Sequence, residues 1–227
     1  GTEVTDEPGV ELFRTLRERV PDVPADPIAG WLADPKNGGE PSRVRAVKVL
    51  AALHERAALA VTPILPNLLR GPAAGVRRAA LELARDVRSN SARDALVDIV
   101  RSGERDGEER GLALAALRGY EGLDLAPLAR EVYPTAKDPA FRIELIRALA
   151  PSDFPAAASV AEGLLGSDDR SLRHEAIAIL GSKPKSAERV ARLYLAGKLP
   201  ADDLSRVIDA VRPHSSPELQ ATLQELL

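Results

Sequence analysis

A chain of 227 residues with 44% apolar side chains has material for one extended domain or two small ones. Its 31 basic and 34 acidic residues leave a formal net charge of −3, which excludes a global field drawing it to nucleic acid or an anionic membrane. Cysteine and methionine are both absent, which excludes a disulfide framework, a thiolate metal site and a cysteine nucleophile. The first expected element, VELFRTLRERV (10–20), reads as an amphipathic cap helix with Val10, Phe13, Leu16 and Val20 on its apolar face. A proline-rich joint, PDVPADP (21–27), follows, and Trp31 reads as a residue packing the cap. DPKNGGEPS (34–42) is the longest uncovered connection and is expected to be mobile.

Beyond it the chain repeats. Arg43 is followed on one helical face by Ala46, Val47 and Leu50. The same face recurs as Arg77 with Ala80, Leu81 and Ala84, Arg110 with Ala113, Leu114 and Leu117, and Arg142 with Leu145, Ile146 and Leu149. Arg173 with Ala176, Ile177 and Leu180 comes next, and Leu204 takes the arginine place before Val207, Ile208 and Val211. The intervals of 34, 33, 32, 31 and 31 residues are near-equal, which is the mark of a repeat array.

A shorter amphipathic segment precedes each of the later helices: 62–70, 91–101, 124–133, 155–165 and 186–196. Pro63, Pro127 and Pro155 suit first turns, and Ser91 and Ser186 suit N-caps. At the far end, SSPELQATLQELL (215–227) offers Ser216 as an N-cap, Pro217 at the first helical position and a Leu219/Leu223/Leu226 stripe. Only 3% of the residues are aromatic, so the core is expected to be Leu, Ala, Val and Ile. No stretch approaches 18 apolar residues, the length that a membrane-spanning helix needs. No targeting segment is evident, and the chain reads as a fragment whose compartment, cytoplasmic or secreted, stays open.

A two-helix unit whose second helix opens with VRRAALELA (76–84) resembles HEAT-like repeats, including the short bacterial kind of the PBS-lyase type. The resemblance covers residues 26 to 212 in six units, with caps at 1–25 and 213–227. It implies an all-α right-handed α-α superhelix. It also implies a structural ladder built from Arg43, Arg77, Arg110, Arg142 and Arg173. Asp106, Asp138 and Asp169 stand four residues before the last three arginines, and such Asp/Arg pairs recur in these families. Arg43 and Arg77 have Gly39 and Ala73 there instead. The tail from Arg212 to Leu227 further resembles the stretch before the haem domain in bacterial multidomain dehydrogenase–cytochrome c proteins.

Two His-Glu pairs, His54-Glu55 and His174-Glu175, start the zinc-protease pattern H-E-x-x-H but do not complete it, since positions 58 and 178 are alanine. Both histidines are expected to face solvent, and His214 lies in a loop with no partner nearby in sequence. No metal or cofactor is expected. Phosphate-binding, nucleophile-elbow, dinucleotide and calcium-loop signatures are absent.

The outward positions of the second helices carry Arg45, Lys48, Glu82, Glu144, Arg147 and Glu175. Their mixed signs suit a protein partner, or a neighbouring domain of the parent chain, better than a nucleic-acid backbone. The leading expectation is therefore a non-catalytic, monomeric interaction module that binds neither nucleic acid nor membrane. A second is an accessory domain of a secreted redox enzyme. A third, a HEAT-like lyase or DNA-repair glycosylase, is disfavoured by the scarcity of aromatic residues.

Overall fold

Alanine and leucine at three- and four-residue spacing, with prolines kept to first turns and connections, drive the described residues into helices. The computed structural model describes residues 25–53, 55–214 and 216–226. Among them lie fourteen α-helices. Contacts divide the chain into two compact units between Leu123 and Asp124.

In the first unit, α1 (Ala25–Ala33) precedes α2 (Glu40–Ala52), α3 (Glu55–Val61) and α4 (Leu65–Arg70). Then come α5 (Ala74–Asp86), α6 (Asn90–Arg101) and α7 (Gly107–Leu117). The helices opened by the ladder arginines form one layer, with α2 on α5 and α5 on α7, and α4 packs on α6 in the other. The second unit holds α8 (Ala126–Val132), α9 (Pro139–Leu149), α10 (Phe154–Leu164) and α11 (Arg170–Gly181). It ends with α12 (Pro184–Leu195), α13 (Leu204–Val211) and α14 (Pro217–Leu226). There α11 packs on both α9 and α13. Each unit is thus a two-layered stack of helix pairs, the α-solenoid class.

The repeating face is the core. Val47, Leu50, Ala80, Leu81, Ala84, Ala113, Leu114 and Leu117 are fully buried, as are Leu145, Ile146 and Ala176. Small residues let helices approach: a Cβ on Gly181 would stand 2.5 Å from that of Ala210 on α13.

Caps differ from the expectation in detail. Ser91 does not cap α6; its hydroxyl donates to the Thr62 carbonyl at 2.9 Å. Ser186 lies inside α12, which opens at Pro184. Aspartates do the capping instead. Asp106 accepts from the Glu109 N–H, Asp138 from Phe141, Asp153 from Ala156, and Asp169 from Ser171 and Leu172. A carboxylate there satisfies orphan donors and meets the positive end of the helix dipole. Ser216 does cap α14, accepting from Leu219 at 3.2 Å.

The 34–42 connection is not free. Its last three residues begin α2, and Arg43 ties the rest by donating to the carbonyls of Asp34 (2.7 Å) and Asn37 (3.3 Å). The Asn37 amide reaches the Trp31 carbonyl, and Gly38, at φ 66°, lies against the Trp31 ring where any Cβ would collide.

Candidate functional site

The ladder arginines turn toward the helix that each of them follows. Arg43 donates to Leu32 in the last turn of α1 and to Asp34 just beyond it, Arg77 to Gly71 and Pro72 beyond α4, and Arg110 to Val100 in the last turn of α6. Arg142 meets the Tyr133 hydroxyl at 2.8 Å and stacks on that ring, while Arg173 donates to Ser167 and Asp168 beyond α10. A guanidinium fork fits such carbonyl clusters, and its charge complements the negative end of the helix.

The aspartates four residues upstream play a different part from the one the family pattern implies. Asp106, Asp138 and Asp169 point their carboxylates at helix N-termini. The acids that meet ladder arginines lie one repeat later. Glu109, 1% exposed, grips Arg77 with both oxygens at 2.9 to 3.2 Å. Asp203, fully buried, takes Arg173 at 3.0 Å. Both acids sit directly before the next ladder position, where the other repeats place Ser42, Val76, Phe141 and Leu172. An acid in a place where Val76, Phe141 and Leu172 are apolar was the signal available in the sequence. Arg142, whose following repeat offers Leu172, keeps a buried Nε without a partner.

Of the six outward residues, three meet one another. Arg147 on α9 clamps Glu175 on α11 at 2.8 and 2.7 Å and also reaches Glu144 at 2.9 Å. The hydrogen bond that Arg147 donates to Glu175 leads the influences that raise the Arg147 pKa. These charges join neighbouring helices. Arg45 and Lys48 on α2 and Glu82 on α5 lie in the first unit, with Arg45 and Glu82 exposed and Lys48 half-buried.

His174 is not solvent-facing. Its side chain is 21% exposed, and Nε2 lies 3.0 Å from Asp203 Oδ1, while Asp203 Oδ2 holds Arg173. Arg170 Nε approaches the same imidazole nitrogen at 3.3 Å. One nitrogen cannot both donate and accept, so the two contacts compete, and the closer one is to a buried carboxylate that can only accept. His174 lines a cavity of about 690 Å³ between α9, α11 and α13, together with Ile143, Arg147, Glu175, Ala178, Arg206 and Asp209. His214, with no partner nearby in sequence, finds one 33 residues back, donating to the Gly181 carbonyl at 2.7 Å. His54 lies outside the described residues. A second cavity, about 370 Å³, sits in the first unit among Leu32, Ile64, Leu68 and Val76. Its guanidinium, Arg43, is already held by carbonyls, so the second unit offers the better chemistry.

No protein-family model matches the chain, and no curated protein matches it either. Among solved structures it resembles a chain in the complex of CpcE and CpcF of phycocyanin lyase from Nostoc sp. PCC7120, with 22% identity and a TM-score of 0.51. The match covers 100% of this chain and 91% of that one. The likeness supports an α-solenoid of helix pairs.

It also corrects two expectations. A non-catalytic module was inferred from the fold class, yet the solved complex with this fold is named as a lyase, so the fold gives no ground for excluding an enzyme. The redox reading rested on the tail after Arg212, and the match runs through that tail as well.

Proposed function

We propose that this chain is a subunit of a lyase-type enzyme that works in complex with a second protein. The full-length likeness to a chain of the CpcE–CpcF phycocyanin lyase complex carries the reading. The cavity of the second unit supports it, because its lining combines charged and apolar residues with an imidazole that is held from behind by the buried Asp203 carboxylate. The exposed charges of the first unit, Arg45 and Glu82, suit the second protein by complementary pairing rather than by a large apolar face. With no cysteine in this chain, any thiol in the reaction comes from the partner or the substrate.

Native purification from the source, with intact-mass spectrometry of everything that travels with the chain, tests this. The expected result is a one-to-one complex with a second protein, and a covalent group gained or lost by a substrate protein when that complex is added. A chain that purifies alone and changes no protein's mass overturns the reading.

A further inference from the structure

Resting on the lyase reading, we infer that the cavity of the second unit is a proton-transfer site, with His174 as the group that exchanges the proton and Asp203 as its positioning residue. Asp203 does more than a ladder acid needs to do. Glu109 directs both oxygens to Arg77, whereas Asp203 gives Arg173 one oxygen and turns the other to His174. The place after the ladder residue reads Val44, Arg78, Gly111, Ile143, His174 and Ser205 along the chain. The histidine therefore stands only in the repeat whose successor supplies a buried aspartate.

The tautomer follows from this geometry. With Nε2–H donating to Asp203, the imidazole lone pair resides on Nδ1. A ligand in the cavity bearing a weakly acidic X–H group gives its proton to Nδ1: the N–H bond forms, X–H breaks, and the electron pair stays on X. The imidazolium so made lies against the Asp203 carboxylate, which stabilises it. Returning the proton to the ligand restores the neutral ring. The cycle needs no oxidant or reductant.

Histidine-selective ¹⁵N labelling reads the tautomer directly, with His174→Gln identifying the signal. The expected spectrum shows protonated Nε2 and bare Nδ1. In Asp203→Asn the amide oxygen must stay with Arg173, so the amide NH₂ faces His174 and the tautomer inverts. Diethyl pyrocarbonate, which attacks an unprotonated ring nitrogen, provides a second readout by peptide mass. It should label His174 in the wild type, and the label should be lost in Asp203→Asn.

An Nδ1–H tautomer in the wild type, or a His174 that resists the reagent while His214 reacts, overturns the inference. If Asp203→Asn does not fold, His174→Gln in the native complex decides: kcat should fall by about 10² to 10⁴-fold with KM little changed. Full turnover in that variant sinks the assignment and leaves the lyase reading standing. No turnover in the wild-type complex sinks the lyase reading, and the assignment then stands or falls on the tautomer and the labelling.

Discussion

Asp106 shows how much one carboxylate can contribute. It caps α7 at 2.7 Å and pairs with Arg78 at 3.1 Å. The backbone hydrogen bond from Glu109 leads the influences that hold its carboxyl below the usual range, with Arg78 adding to it. A depressed folded pKa stabilises the fold above the unfolded value of about 4, and that contribution is lost as pH falls through the folded value. Asp106→Ala should cost about 0.5–2 kcal/mol at pH 7. The gap from wild type should narrow as pH falls below about 4, as denaturant melts at pH 7 and in acid would record.

Glu109 and Arg77 are a harder case. Glu109→Leu leaves a buried guanidinium without its acid and should cost about 3–5 kcal/mol. Adding Arg77→Leu should recover much of that loss, and a double-mutant cycle by denaturation measures it. Leucine is the residue that the corresponding place already holds at Leu172, so the repeat can accommodate the substitution.

Among the helices, the template residues Arg77, Leu81 and Ala84 were readable in advance because helical period and burial are local. Buried Val47, Leu114, Ile146 and Leu180 follow from the same spacing. What the spacing could not carry was the partner of each arginine. Glu109 and Asp203 lie 32 and 30 residues beyond theirs, and only packing of one helix on the next brings them there. The aspartate four residues upstream is nearer in sequence, but its carboxylate has a helix terminus to satisfy. His174 was misjudged for the same reason: its own helix leaves it outward, and the turn at 201–203 covers it with Asp203.

Packing also makes Gly181 a sensitive place. Its close approach to Ala210 fixes how α13 rests on α11. Gly181→Ala gains helix propensity of about 1 kcal/mol but drives a methyl into a neighbouring Cβ. A net loss of about 1–2 kcal/mol in thermal or denaturant melts is expected, and a gain in stability would show that the two helices can part cheaply.

Across the whole molecule, stacked repeats make stability close to a sum of local terms. Ile99 on α6 and Ile177 on α11 belong to different units, and both are buried. Valine at either should cost about 0.5–1.5 kcal/mol, and both together should cost the sum to within about 0.5 kcal/mol. A larger departure in equilibrium unfolding would reveal coupling between the units.

The forward placement of the acids has a consequence in time. The carbonyls that Arg77 seeks, Gly71 and Pro72, are already made when it leaves the ribosome, but Glu109 is 32 residues behind it. At about 5–20 residues per second, the arginine waits about 2–6 s for its counter-charge. Arg173 waits a similar time for Asp203, and His174 cannot acquire its orientation before then. During synthesis these two repeats are therefore closed behind by backbone and left open ahead, and only the arrival of the next one locks them.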